Sequence, residues 1–281
     1  MTQPALTQQL RVLEAEVGVP LLRRVGRGIA LTGAGQALFP EARATLEQEA
    51  HAIAIARRIG RGEASSLNVG YVSTAMLEPA LTELLRQFRA ELPDVDLHLE
   101  EAAVAEQLLG LQRQRLDVAI VRDPIGPLLK GIRSFSFQRG RLLAAVPSNV
   151  AAACQEPISL AKLAEFPFIV LRDPDGLGLG HSVWSLCGRA GIMPRVGMRV
   201  ADVIGAMGLV AAGFGVSLVP TSMRRVKLPG VELLDVAGLR VETGLSILHS
   251  AVGTSAPLRR FLQLAKVVSG NTPESGPSIA S

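Results

Sequence analysis

The sequence predicts an α/β protein: a small helix-and-hairpin head, then a long helix, then a two-lobed α/β domain. Three observations lead there. Leu6, Leu10, Leu13 and Val17 recur at helical spacing and are followed by two short extended runs. Leu38, Ala42, Leu46, Ala50, Ile53 and Ile59 then hold one narrow apolar stripe, consistent with a single helix at ~3.6 residues per turn. Beyond residue 66, strand-like and helix-like runs alternate, twice over.

In chain order, Thr2 can cap the first helix and Pro4 suits its first turn, where a missing N–H is not needed. The runs PLLRR and GIALT flank the turn VGRG, which reads as a small β-hairpin presenting Arg23, Arg24 and Arg27. Thr32 supplies an N-cap for the long helix, whose early turns contain Pro40. A single Ala-rich stripe suits pairing with another helix better than burial in a globule. GRGEASS, residues 60 to 66, reads as a linker.

LNVGYV (strand), PALTELLRQFRAEL (helix), VDLHLE (half-buried strand), AEQLLGLQRQ (helix) and LDVAIVR (buried strand) form a βαβαβ unit, which implies a mainly parallel sheet. LLAAVP, the helix SLAKLAEF, the strand PFIVL, a Gly-rich loop RDPDGLGLGH, the helices VWSLCGRAG and VADVIGAMGLVAAG and the strand VSLVP repeat the alternation with a separate sheet. The strand LSILHS and the helix APLRRFLQLAKVV have no partner in that second unit. The chain is therefore expected to cross back at about Leu245 to Ser250. The expected organisation is a head at 1–31, the long helix at 32–60, a linker at 61–66 and the two-lobed domain at 67–270. Its first lobe takes about 67–143 and 248–270, its second about 144–247, and 271–281 is a tail disordered by composition. A cleft between lobes is the default ligand site of such an architecture.

Composition narrows the function. With one Trp, one Tyr and eight Phe in 281 residues, a single-strand nucleic-acid surface built on aromatic stacking is disfavoured. The net charge of +4 permits a polyanionic partner without requiring one. Cys154 and Cys187 lie far apart with no His at ligand spacing, so neither a metal site nor a disulfide framework is expected, and no cofactor motif is present. The most apolar stretch, Val203 to Pro220, is broken by Gly205, Gly208, Gly213 and Gly215, and no basic and apolar leader opens the chain; a cytoplasmic protein without a membrane span is expected. His51, His98, His181 and His249 are scattered, no G-x-S-x-G occurs, and Glu100 and Glu101 point to opposite faces of a strand, so nothing asks for catalysis. The glycines of RDPDGLGLGH fit neither G-x-G-x-x-G nor a P-loop, and a flexible loop at the cleft rim is expected there.

The first helix and hairpin together read as the later half of a winged helix-turn-helix. Gln3, Thr7 and Gln8 lie near the start of one helix face, where amides and hydroxyls can read base edges while wing arginines meet phosphate; a merely solvated face is the alternative. TQPALTQQLRVLEAEVGVPLLRRVGRGIALTGAGQAL resembles the signature of LysR-type transcriptional regulators, and PISLAKLAEFPFIVL and GLVAAGFGVSLVP are similar to two segments of that family's effector-binding domain. The resemblance implies a winged helix-turn-helix, a dimerisation helix and a two-lobed domain of the periplasmic-binding-protein type. It implies double-stranded DNA as partner, through Thr2, Gln3, Pro4, Thr7, Gln8 and Arg11 of the helix and Arg24 and Arg27 of the wing. It also implies a homodimer or homotetramer and a small-molecule effector, a carboxylate. The family pattern carries two helices before the counterpart of Thr2, so a head truncated at its start is expected, with the stripe of Leu6, Leu10 and Leu13 short of packing surface. A ligand-binding and dimerisation module without DNA binding of its own is the alternative reading.

For the effector, Ser73 and Thr74 follow the first strand and Arg122 ends the strand LDVAIV, so all three lie at carboxyl ends of parallel strands, where ligands bind. Two hydroxyls at a helix start beside an Arg suit a carboxylate. The alternatives are that the hydroxyls only cap and that Arg122 pairs with Asp123 or solvent. The family's first-lobe loop carries effector-contacting hydroxyls, and this favours function for Ser73 and Thr74. Asp202 and Val203 open a second-lobe helix and would face the cleft, although Asp202 can act as a cap alone.

Overall fold

The computed structural model describes residues 3–26, 28–60, 66–127, 130–237, 243–251 and 255–270. The chain divides into two compact units, Met1–Glu63 and Ala64–Ser281.

The first unit contains α1 (Gln3–Val17), an antiparallel hairpin of β1 (Leu22–Val25) and β2 (Gly28–Leu31), and α2 (Gly33–Gly60) with Pro40 inside it. These elements meet at the buried Leu21. Glu14 Oε1 of α1 accepts from Leu21 N at 2.7 Å and Leu22 N at 3.1 Å. Leu21 O accepts from Thr32 N at 2.9 Å, and the Thr32 hydroxyl donates to Pro20 O while accepting from Gly35 N at 3.0 Å, the predicted cap. A Cβ on Gly35 would stand 2.1 Å from Leu21 O, so only glycine lets α2 approach that carbonyl. The apolar stripe of α1 is largely uncovered in this unit: Leu6 is 57%, Leu13 40% and Val17 41% exposed. Thr2 and Arg27, and with them the expected helix cap and wing tip, lie outside the described residues, as do 61–65 of the linker and the tail.

In the second unit, β3 (Ser66–Tyr71), α3 (Pro79–Glu91), β4 (Asp96–Glu101), α4 (Val104–Gln112) and β5 (Val118–Arg122) fall where the sequence places them. They are followed by β6 (Ile132–Gln138), and β12 (Leu245–Ser250) with α9 (Ala256–Val268) returns to the same lobe. The sheet order is β4-β3-β5-β12-β6. The sheet is mainly parallel as expected: β4, β3, β5 and β6 share one direction, and β12 alone runs against them, antiparallel to both β5 and β6. A strand arriving from the other lobe does not need the right-handed crossover that would make it parallel.

The second lobe holds β7 (Leu142–Pro147), the single turns α5 (Ser148–Ala151) and α6 (Leu160–Leu163), β8 (Phe168–Leu171), α7 (Gly178–Arg189), β9 (Val196–Val200), α8 (Val203–Ala211), β10 (Ser217–Pro220) and β11 (Val231–Asp235). β10-β7-β11 is antiparallel and β8-β9 parallel, with the bridge Phe168↔Val216 linking the two groups. The succession β9, β8, β10, β7, β11 thus repeats the parallel-then-antiparallel pattern of the first lobe. Leu142 pairs with Pro220 and Leu245 with Arg122, so the second lobe takes the chain from Leu142 and the first regains it by Leu245. SLAKLAEF delivers only one helical turn, capped by Ser159, and the Gly-rich run is not all loop, because α7 begins at Gly178.

Each lobe has its own core. In the first, α3 and α9 pack against the sheet through Leu81, Leu84, Phe88, Leu258, Phe261 and Leu264, with Phe88 and Phe261 edge to face at 5.4 Å. In the second, Leu143 to Val146, Ile169, Val183, Leu186, Ala206 and Val210 do the same work. Among the described residues, no helix is long and apolar enough to cross a membrane.

Candidate functional site

The cleft between the lobes is built at the carboxyl ends of β3, β5 and β8. β3 ends at Tyr71 and the chain turns at once into a 3-10 turn, Ser73–Leu77. β4 delivers Glu101, α4 starts at Val104, and from the other lobe come Arg172 and Asp173 after β8 and the first turns of α7 and α8. A cavity of about 480 Å³ lies among them. Ser73, Thr74, Arg122, Asp202 and Val203, the residues expected from the sequence to meet a ligand, all line it.

Arg122 corrects an expectation. It is 3% exposed and does not pair with Asp123 or solvent. Its guanidinium donates to Thr74 Oγ1 (2.9 Å), Thr74 O (3.2 Å), Glu78 Oε1 (2.6 Å) and, from the second lobe, Ser222 Oγ (3.1 Å). Gln138 Nε2 donates to the other Glu78 oxygen at 2.7 Å. Burial pushes the Arg122 pKa down and the Glu78 pair opposes it. Its charge is therefore answered from within the protein, and it fastens β5, the 3-10 turn and the second lobe together. Thr74 does not cap its turn; its hydroxyl oxygen serves Arg122, while Ser73 makes no capping bond.

In the second lobe Asp202 is the N-cap of α8, accepting from Gly205 N at 2.7 Å, so the cap reading holds and the residue also faces the cavity. Asp173 joins this lining without having been expected from the sequence. Its carboxylate accepts from Gly180 N at 2.9 Å in the first turn of α7, and burial raises its pKa against that bond. The carboxylate five residues before a glycine-rich helix start was the available signal. Glu78, Gln138 and Ser222 were missed too. An Arg closing a fully apolar strand demands a buried counter-charge, but its position in sequence is not given by that demand.

In the first unit, Gln3, Pro4, Thr7, Gln8 and Arg11 all fall within α1, with Thr7, Gln8 and Arg11 exposed. Arg24 is exposed on β1. Among the described residues no His, Cys, Asp and Glu grouping could hold a metal ion.

Residues 60–268 match the LysR substrate binding domain, and residues 1–36 match the bacterial regulatory helix-turn-helix protein, lysR family. The chain belongs to the LysR family. Within it, the uncharacterized HTH-type transcriptional regulator YnfL of Escherichia coli K12 is 32% identical over 237 residues, covering 84% of this chain and 79% of YnfL. The regulator TfdS of Cupriavidus pinatubonensis is 31% identical over 266 residues, covering 95% of this chain and 89% of TfdS. These LysR-family relatives are transcriptional regulators. Full-length CbnR, solved in complex with its target DNA, is 29% identical with a TM-score of 0.71, over 95% of this chain and 91% of that one. The effector-binding domain of QuiR, solved with shikimate, shares the LysR effector-domain fold at 20% identity and a TM-score of 0.64, over 74% of this chain and 98% of that one.

Proposed function

We propose that this LysR-family chain regulates transcription by holding double-stranded DNA through α1 and the hairpin, pairs through α2 as a homodimer or homotetramer, and senses a small carboxylate in the interlobe cleft. The observation that carries the sensing role is the cavity itself, which takes its lining from both lobes, so that an occupant bridges them and biases their angle. The carboxylate is supported by the Ser73 hydroxyl at the start of the 3-10 turn and by Arg172. Arg122, already answered by Glu78, orients the turn instead of meeting the ligand directly. The DNA role draws support from the solved complex of CbnR with its target DNA and from exposed Gln8, Arg11 and Arg24. The narrow stripe of α2, with Leu46 and Ile53 exposed, supports pairing.

Thermal melting of the full chain against a panel of small carboxylates tests the sensing role. A ligand at ~100 times its Kd is expected to stabilise the protein by about 2.7 kcal/mol, read as a rise in Tm. No rise with any member would refute it. The uncovered stripe of α1 favours a second reading, a ligand-binding module that dimerises without holding DNA. Fluorescence anisotropy with labelled duplexes separates the two: the regulator shows binding that weakens steeply with salt, and the module shows none.

A further inference from the structure

We infer that the effector is amphoteric: a small molecule with an aliphatic body that carries a protonated amine as well as its carboxylate. This rests on the reading of the cleft as the effector site and narrows the ligand class for it.

The argument is one of charge. Four carboxylates line the cavity: Glu101 at the end of β4, Glu106 in the first turn of α4, Asp173 after β8 and Asp202 before α8. Two guanidiniums face them, Arg122 and Arg172. Arg122 is spent on buried Glu78, at 2.6 Å. That leaves Arg172 as the cation among the lining residues whose charge has no carboxylate partner within the described protein. Asp173 accepts backbone N–H groups of Gly180 and Leu179 and Asp202 that of Gly205, and none of these donors carries a charge, while Glu101 and Glu106 have no cationic partner among the described residues.

A purely anionic ligand entering such a cavity adds negative charge where negative charge is already in excess, and partial enclosure between low-dielectric walls strengthens that repulsion. A ligand amine reverses the sign. It can sit against the Glu101 and Glu106 side while the carboxylate meets Ser73 and Arg172. It also relieves Asp173, whose carboxyl burial already holds above its ordinary pKa. Val72, Val104, Leu171, Leu179 and Val203 supply apolar wall for the carbon frame between the two charged ends.

The test uses matched sets of the same chain length from three to six carbons, each holding a dicarboxylate, an amino carboxylate and a diamine, for instance succinate, 4-aminobutanoate and 1,4-diaminobutane. The full chain is titrated with each by calorimetry. At the best-fitting length the amino carboxylate is expected to bind at least tenfold more tightly than its dicarboxylate. In the Glu101→Gln/Glu106→Gln double variant that preference should shrink or invert, because the dicarboxylate gains while the amino carboxylate loses. Both residues are exposed, and general damage to the fold would weaken both ligands together. Dicarboxylates that bind as well as or better than amino carboxylates in the wild type would overturn the inference while leaving a carboxylate sensor standing. Preference for the diamine, or no binding by any set, would overturn both.

Discussion

Replacing Arg122 with methionine is expected to destabilise the protein by about 3–5 kcal/mol, the cost of breaking a buried ion pair from one side. The length and apolar stem of the side chain are kept, so packing loss is small. What remains is Glu78, 8% exposed, with its carboxylate facing a cavity where the guanidinium stood, and with Gln138 as its remaining donor. Thr74 O and Ser222 Oγ lose a donor as well. Urea denaturation reads the loss directly. The double variant Arg122→Met/Glu78→Gln should recover a large part of it, because removing both charges removes the orphan. A loss below ~1 kcal/mol would instead place the pair with solvent-exposed surface bridges.

Truncating Phe88 to alanine should cost about 3–5 kcal/mol, the range for emptying a large aromatic from a packed core. Phe88 is fully buried on α3, and its edge-to-face partner Phe261 is fully buried on α9, the last helix among the described residues. That pair ties the returning segment to the first lobe, assisted at the rim by Arg260 and Glu91 at 2.5 Å. Phe261→Ala is expected to cost a similar amount, and the two together less than the sum, since each deletes the same contact. Additive losses in equilibrium denaturation would mean that the rings are stabilised by separate surroundings.

Central strands and amphipathic helices were legible because each carries a complete signal. LDVAIVR reads as a buried strand, and its strand β5, Val118–Arg122, is buried along its whole length; APLRRFLQLAKVV coincides with α9. The strands that went unread, β6, β9 and β11, are all sheet edges. β6 and β11 mix half-buried and exposed residues with a single buried one, Phe137, and β9 alternates over only five residues that include Gly197 and Arg199, so none carries a long alternation or an apolar run. VDLHLE was read as half-buried, yet as the opposite edge it is mostly exposed. The site followed the same logic. Residues fixed by local position, Ser73, Thr74, Arg122, Asp202 and Val203, were placed on one cavity by their strand ends and helix starts. The partner that decides what Arg122 can do, Glu78, lies 44 residues away in sequence, and only the folded chain pairs them. The fine charge balance of the cleft is likewise a property of two lobes meeting, which no window of sequence contains.

The most direct test of the ligand-sensing cleft is a calorimetric titration of the best ligand from the carboxylate panel into the wild-type chain and into two cleft-filling variants. Ala103→Trp fills the cavity from the first lobe and Ala201→Trp from the second, and both positions are exposed lining residues, so the lobes can fold around the new rings. A saturating titration in the wild type that weakens at least tenfold in both variants, with melting of the unliganded proteins unchanged, is the predicted result. Equal affinity in all three proteins would place the ligand elsewhere and contradict the interlobe cleft as the sensing site.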